Sequence, residues 1–121
     1  MIWLDGQAAP SPPLEVVRVS GYPNGVVVLR VCGELDLCTA PQLARHLRNH
    51  LEANPRGTEF VVDLSEVRFL GAKGIAALID AAGNADLRGC RFAIIGCRPI
   101  FVRILDIAGA RETLNVLPLD L

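Results

Sequence analysis

Three short runs rich in apolar and β-branched residues punctuate the chain: VVVLRV at 26–31, FVVDL at 60–64 and FAII at 92–95. Between them lie segments whose apolar residues recur at helical spacing. In TAPQLARHLRNHLEA (39–53), Leu43, Leu47 and Leu51 return every four residues and make one buried stripe. In GIAALIDAAGNADLRG (74–89), Ile75, Leu78, Ile79 and Ala82 share a face. Strands that alternate with helices through short connections leave few arrangements, because right-handed crossovers bring successive strands side by side in parallel. This alternation predicts an α/β fold.

The flanking segments complete the pattern. LEVVRVS (14–20) reads as a strand, and GYPNG (21–25) supplies Pro and Asn-Gly for a turn, so 14–20 and 26–36 are expected to form an antiparallel hairpin. Further strands are expected over 58–67 and 90–96. A third helix is expected over 98–110, opened by Pro99, and a short last strand over 113–118. The predicted order is β-β-α-β-α-β-α-β in one mixed, mostly parallel sheet, with residues 14–121 as a single domain and 1–13 as an irregular lead-in from which Trp3 is free to pack on the surface. Thr39 with Gln42 fits a capping box, with Pro41 in the first helical turn, and Asn54-Pro55-Arg56-Gly57 stops that helix. Gly83 inside the second helix costs about 1 kcal/mol against alanine.

At 121 residues, 51% of them hydrophobic and 21% charged, one aliphatic core suffices without metals or disulfides. A net charge of −1 with scattered signs offers no footprint for nucleic acid or for a membrane surface. No apolar stretch approaches the ~20 residues that span a bilayer. MIWLDGQAAPSPP has neither the basic nor the apolar region of a secretory signal, so a cytoplasmic location is expected. Cys32, Cys38, Cys90 and Cys97 are spaced unlike a zinc site, and four free thiols are expected. His46 and His50 share a helix face but lack the glutamate and third ligand of a metal motif, so they are expected on the solvated side. No metal or cofactor is expected. No nucleophile elbow and no Walker loop is present, and nucleophile, base and oxyanion donors do not converge, so no enzyme is expected.

One stretch remains. FLGAKGIAAL (69–78) turns from strand to helix where an α/β fold usually places its chemistry, at the carboxyl ends of strands. Asp36 and Asp63, each read as ending a strand, are expected at that same end. GELDLCTAPQL, followed by FVVDLSEVRFLGAKGIAAL, resembles the STAS domain of anti-sigma factor antagonists over roughly residues 14–118. That family's turn reads Asp-Ser-Ser-Gly, with the second serine phosphorylated by a partner that is both kinase and anti-sigma factor. By position, Gly71 stands for the aspartate, Ala72 for the first serine and Lys73 for the phosphorylated serine, while Gly74 is kept. Asp36 matches the family's acidic residue beside the phosphorylation site.

The resemblance implies a non-catalytic interaction module that binds an anti-sigma factor, of kinase fold, and so releases a sigma factor. Its partner surface would comprise Asp36, Asp63, Arg68, Phe69, Lys73 and Ile75. With no hydroxyl at 71–74, serine phospho-regulation is not expected. A helix N-terminus carries about half a positive charge, so Lys73 sits there at a cost of about 0.3–1 kcal/mol and is expected to meet an anion: Asp36, Asp63 or an acidic group on a partner. A STAS accessory subunit of a transport or stress-signalling complex, an anion- or nucleotide-binding module, and a homodimer stay open as alternatives.

Overall fold

The computed structural model describes residues 13–118. The irregular lead-in expected over 1–13, Trp3 included, lies outside the described residues but for Pro13, as do residues 119–121. The elements are β1 (Glu15–Val19), β2 (Val26–Leu35), α1 (Ala40–Ala53), β3 (Glu59–Leu70), α2 (Ala72–Leu87), β4 (Arg91–Ile95) and α3 (Pro99–Ile107). The four strands lie in chain order, β1 antiparallel to β2 and the other pairs parallel. Each helical crossover therefore sets the next strand directly beside the last, giving the mixed, mostly parallel sheet that the alternation predicts.

Side-chain period explains the layering. Val27, Leu29 and Val31 of β2, Phe60, Val62 and Leu64 of β3 and Ile94 of β4 point to one face and join the core. Leu43, Leu47 and Leu51 of α1 meet them, all nearly inaccessible to water, as do Leu78, Ala81 and Ala85 of α2. A fully buried leucine contributes about 1.5–3 kcal/mol, so the α1 stripe alone goes far towards anchoring that helix. The opposite face carries Val17, Val28, Arg30, Val61 and Asp63, which pair across the strands. His46 and His50 are half-buried rather than fully solvated.

Three local expectations change. β3 runs to Leu70, beyond the expected end at 67, because two register shifts break its alternation. Arg30 pairs with Asp63 but Cys32 with Glu66, and Gly33 pairs with Val67 but Glu34 with Phe69. Each shift inserts an extra residue in β3, so the inward series reads Phe60, Val62, Leu64, Val67, Leu70. The capping box is not made. Thr39 caps no amide of α1, and Gln42 instead accepts a hydrogen bond from the Leu14 N–H at 3.3 Å. The last strand reduces to one bridge between Ile94 and Val116 after a turn over 111–115. Asn115 at φ 51° bends the chain there, which a continuing strand would not allow.

Candidate functional site

The site is built where β2 and β3 end together. The Gly71 N–H donates to the Leu35 carbonyl at 2.8 Å, which carries the β2–β3 ladder one step past Leu70. Gly71 is then the N-cap of α2, extended at φ −102° and ψ 175°, and its carbonyl accepts the Ile75 N–H at 3.0 Å. Ala72, Lys73 and Gly74 fill the first turn, whose N–H groups have no partner within the helix. No side chain caps it and it holds no acidic residue.

Two glycines set how tightly this turn seats. A Cβ on Gly74 would fall 2.6 Å from Leu35 Cβ and 2.9 Å from its carbonyl oxygen, so only glycine fits. A Cβ on Gly71 would come within 3.0 Å of the Phe69 ring. With Gly74 and Ile75 turned inward, Ala72, Lys73 and Ala76 face water. Ile75 is thus a core residue and drops out of the exposed surface.

The β2–α1 loop forms the other wall. Asp36 Oδ1 accepts the N–H groups of Cys38 and Thr39, both at 2.9 Å, and the Asp36 carbonyl accepts that of Ala40 at 2.9 Å. The Thr39 hydroxyl, buried, accepts the Asp36 N–H at 3.0 Å and donates to the Glu34 carbonyl at 2.5 Å. This closed ring of bonds turns Leu37 outward, leaving it 69% exposed. Sequence reasoning passed over Leu37. The Asp-x-x-Thr spacing around it was the available signal, since Asp and Thr at such spacing close turns whose apex points to solvent.

Phe69 and Arg68 owe their exposure to the second register shift. Gly33 pairs with Val67 and Glu34 with Phe69, so Arg68 is the extra residue, and the pair Arg68–Phe69 faces out. Such irregularities re-aim side chains beside sites. Leu37 and half-exposed Phe69 are thus large apolar side chains open to solvent, and Arg68 and Lys73 are exposed cations that make no ion pair among the described residues.

Asp63 does not belong to this constellation. It lies mid-strand, 8% exposed, bonded to Arg30 Nε through Oδ2 at 3.2 Å and to the Ser65 N–H through Oδ1 at 2.9 Å. Seven residues of strand, on the order of 20 Å, separate it from Leu70. Neither Asp36 nor Asp63 therefore meets Lys73. The expected intramolecular anion is replaced by backbone amides for the first and by Arg30 for the second. Among the described residues Arg30–Asp63 is the one ion pair. Among the described residues, too, no three His, Cys, Asp or Glu side chains gather closely enough for a metal ion.

Residues 16–118 match the family model described as Mlab, STAS domain. The chain belongs to the STAS-domain family. Over 106 residues, 88% of this STAS chain and 84% of its relative, it is 32% identical to the anti-sigma-F factor antagonist RsfB of Mycobacterium tuberculosis. The solved structure of an anti-sigma factor antagonist from Mycobacterium paratuberculosis superposes with a TM-score of 0.75 at 27% identity, covering 93% of this chain and 91% of that one. A sulfate transporter family protein from Wolinella succinogenes shares the fold, with a TM-score of 0.67 at 21% identity over 80% of each chain. Among the described residues no helix is long and apolar enough to cross a membrane.

The cysteines take no part in the turn. All four are free thiols; Cys90 and Cys97 are buried, and Cys38, in the β2–α1 loop, is exposed. Burial pushes the Cys97 thiol up to about 11. Cys32 is also raised, first by burial and then by Glu15 and Glu66 nearby.

Proposed function

We propose that this STAS domain is an anti-sigma factor antagonist: it binds an anti-sigma factor through a surface that includes the exposed Leu37, Phe69, Arg68 and Lys73, and so releases a sigma factor. The likeness to RsfB over nearly the whole chain carries this reading. The geometry supports it, because Leu37 on the β2–α1 loop held by Asp36 and Thr39, Phe69 near the end of β3 and Lys73 in the first turn of α2 are all exposed on a fixed scaffold, which is how a rigid fold presents a binding surface. The binding is non-catalytic, and no serine switch controls it, since Lys73 stands where the resemblance places the phosphorylated residue. Lys73 and Arg68 favour a partner surface with a carboxylate opposite the turn. The shared fold of the transporter-family protein is a likeness of shape alone and carries no transport reading.

The experiment is calorimetric titration against the anti-sigma factor of the same host, with and without ATP. Binding should be measurable and indifferent to ATP. Lys73→Glu should weaken it by about tenfold or more, since like charges facing each other in an interface cost one to several kcal/mol. Absence of binding to any host anti-sigma factor would overturn the reading.

A further inference from the structure

A cleft beside α3 shares no residue with the surface proposed above. We propose that it binds a small monoanionic amphiphile, a carboxylate on a short aliphatic or aromatic tail, with the carboxylate held by Arg103 and Arg111 and the tail laid over Val102, Val116 and Leu117.

The backbone builds the cleft. α3 turns Phe101 and Leu105 into the core. Val102, Arg103 and Asp106 share another flank of the helix, which forms one wall. The other wall is the segment that follows the 111–115 turn. The Ile94 N–H donates to the Asn115 carbonyl at 3.1 Å and the Leu117 N–H to the Ile94 carbonyl at 2.9 Å, so Val116 is fastened to β4. The Val116 N–H donates to the Arg111 carbonyl at 3.2 Å and closes the turn that carries Arg111. Cys97, where β4 gives way to α3, lines the cleft yet is 1% exposed, so it makes the floor. Burial keeps its thiol uncharged at neutral pH, and an uncharged thiol is an apolar surface. The space is about 420 Å³, within the range of small-molecule sites. With both walls held by backbone bonds, little ordering is left for a ligand to impose.

Charge selects the occupant. Two arginines and one aspartate line this cleft, which leaves one positive charge in surplus, and none of the three makes an ion pair among the described residues. A guanidinium meets a carboxylate through two parallel N–H bonds, which fixes orientation as well as charge. A monoanion matches the surplus, whereas a phosphate monoester, with nearly two charges, exceeds it. Glu112 sharpens that limit: it lines a second cleft that adjoins the first at Asp106, Arg111 and Val116. Arg103 borders the first cleft and not the second, so the end of the site away from Glu112 is the favoured place for the anion. The apolar part has its own match. Val102 and Val116 are half-buried and Leu117 is 41% exposed, so a tail laid on them removes apolar surface from water on both sides.

Hexanoate is the probe, followed through the amide resonances of the nitrogen-15-labelled full chain. Val102, Arg103, Arg111, Val116 and Leu117 should shift together and saturate. Butanoate, shorter by two methylenes, should bind about tenfold more weakly, because each buried methylene is worth about fourfold in affinity. Hexylammonium, with the same tail and the opposite charge, should also bind at least several-fold more weakly. Arg103→Gln and Arg111→Gln alter exposed side chains, so both should fold; each should weaken hexanoate about tenfold, as loss of a charge-assisted hydrogen bond does. Shifts that never saturate, hexylammonium bound as tightly as hexanoate, or unchanged affinity in the double variant would each overturn the proposal. So would shifts centred on residues 71–74, which would place the carboxylate at Lys73 instead. No protein partner enters these measurements, so their failure leaves the proposed function standing, and failed binding to an anti-sigma factor leaves this site standing.

Discussion

Gly74 lies against Leu35 so closely that no side chain can enter: the first turn of α2 is clamped on the end of β2. The same helix holds Gly83, where an added Cβ would meet nothing within 4 Å. The two positions should respond to alanine with opposite signs. Gly74→Ala forces α2 off Leu35 and should destabilise by about 1–3 kcal/mol, the usual cost of overpacking. Gly83→Ala relieves the entropy of an exposed helical glycine and should stabilise by about 0.5–1 kcal/mol. Urea unfolding of the two variants checks both, and equal signs would refute the clamp.

Lys73→Glu should separate stability from binding. It exchanges an unfavourable charge for a favourable one beside three N–H groups without helical partners, so the domain should gain about 0.3–1 kcal/mol at low salt. The same change is expected to weaken the partner complex. A variant that is more stable yet binds less tightly cannot be explained by misfolding. Thermal unfolding beside the titration decides it, and the gain should shrink as salt rises.

Phosphoryl transfer needs a hydroxyl in line with the γ-phosphate. Positions 71–74 offer none, and Ser65 lies upstream in β3, its N–H tied to Asp63. Incubation with the cognate kinase and ATP should leave the 60–80 peptide unmodified by mass spectrometry. Stoichiometric phosphate on Ser65 would overturn this. Ala72→Ser with Lys73→Ser introduces hydroxyls on the exposed side of the turn but no carboxylate at Gly71, where the family resemblance would place one.

Thiol reactivity should follow exposure. Near pH 8 an uncharged disulfide reagent should label Cys38 first, while Cys97, its thiol pushed to about 11, stays unreactive until the fold opens. Denatured without reductant, the chain should titrate four thiols. Finding two would show a bridge.

Stability should fall on mild acidification. His50 is held below its ordinary 6.5, first by burial and then by Arg18 and His46. The unfolded chain therefore binds the proton more readily than the folded one. The stabilisation is fully present above about pH 6.5 and is lost as pH falls from there through the depressed folded value. His50→Gln should flatten this limb of the denaturation profile, and an unchanged slope would clear His50 of the effect.

Much of this protein was legible locally. The leucines at 43, 47 and 51 announce a helix and its buried face, because helical period and burial coincide within one segment. The hairpin turn and the order of strands and helices follow from equally local signals, and so does the missing hydroxyl at 71–74. What depended on the tertiary structure was each feature set by the pairing of distant residues. The two extra residues in β3 appear only once it is laid beside β2; they lengthen the strand and turn Arg68 and Phe69 outward, while the regular register before them pairs Asp63 with Arg30, far from the turn. Ile75 and Lys73 sit two residues apart, yet the approach of Leu35 to Gly74 decides which one is core and which is surface. Asp36 had an acid's chemistry in the sequence, and the fold spent it on the amides of Cys38 and Thr39. Helical and strand periods are properties of neighbours along the chain, whereas register, crowding and hydrogen-bond partners belong to neighbours in space.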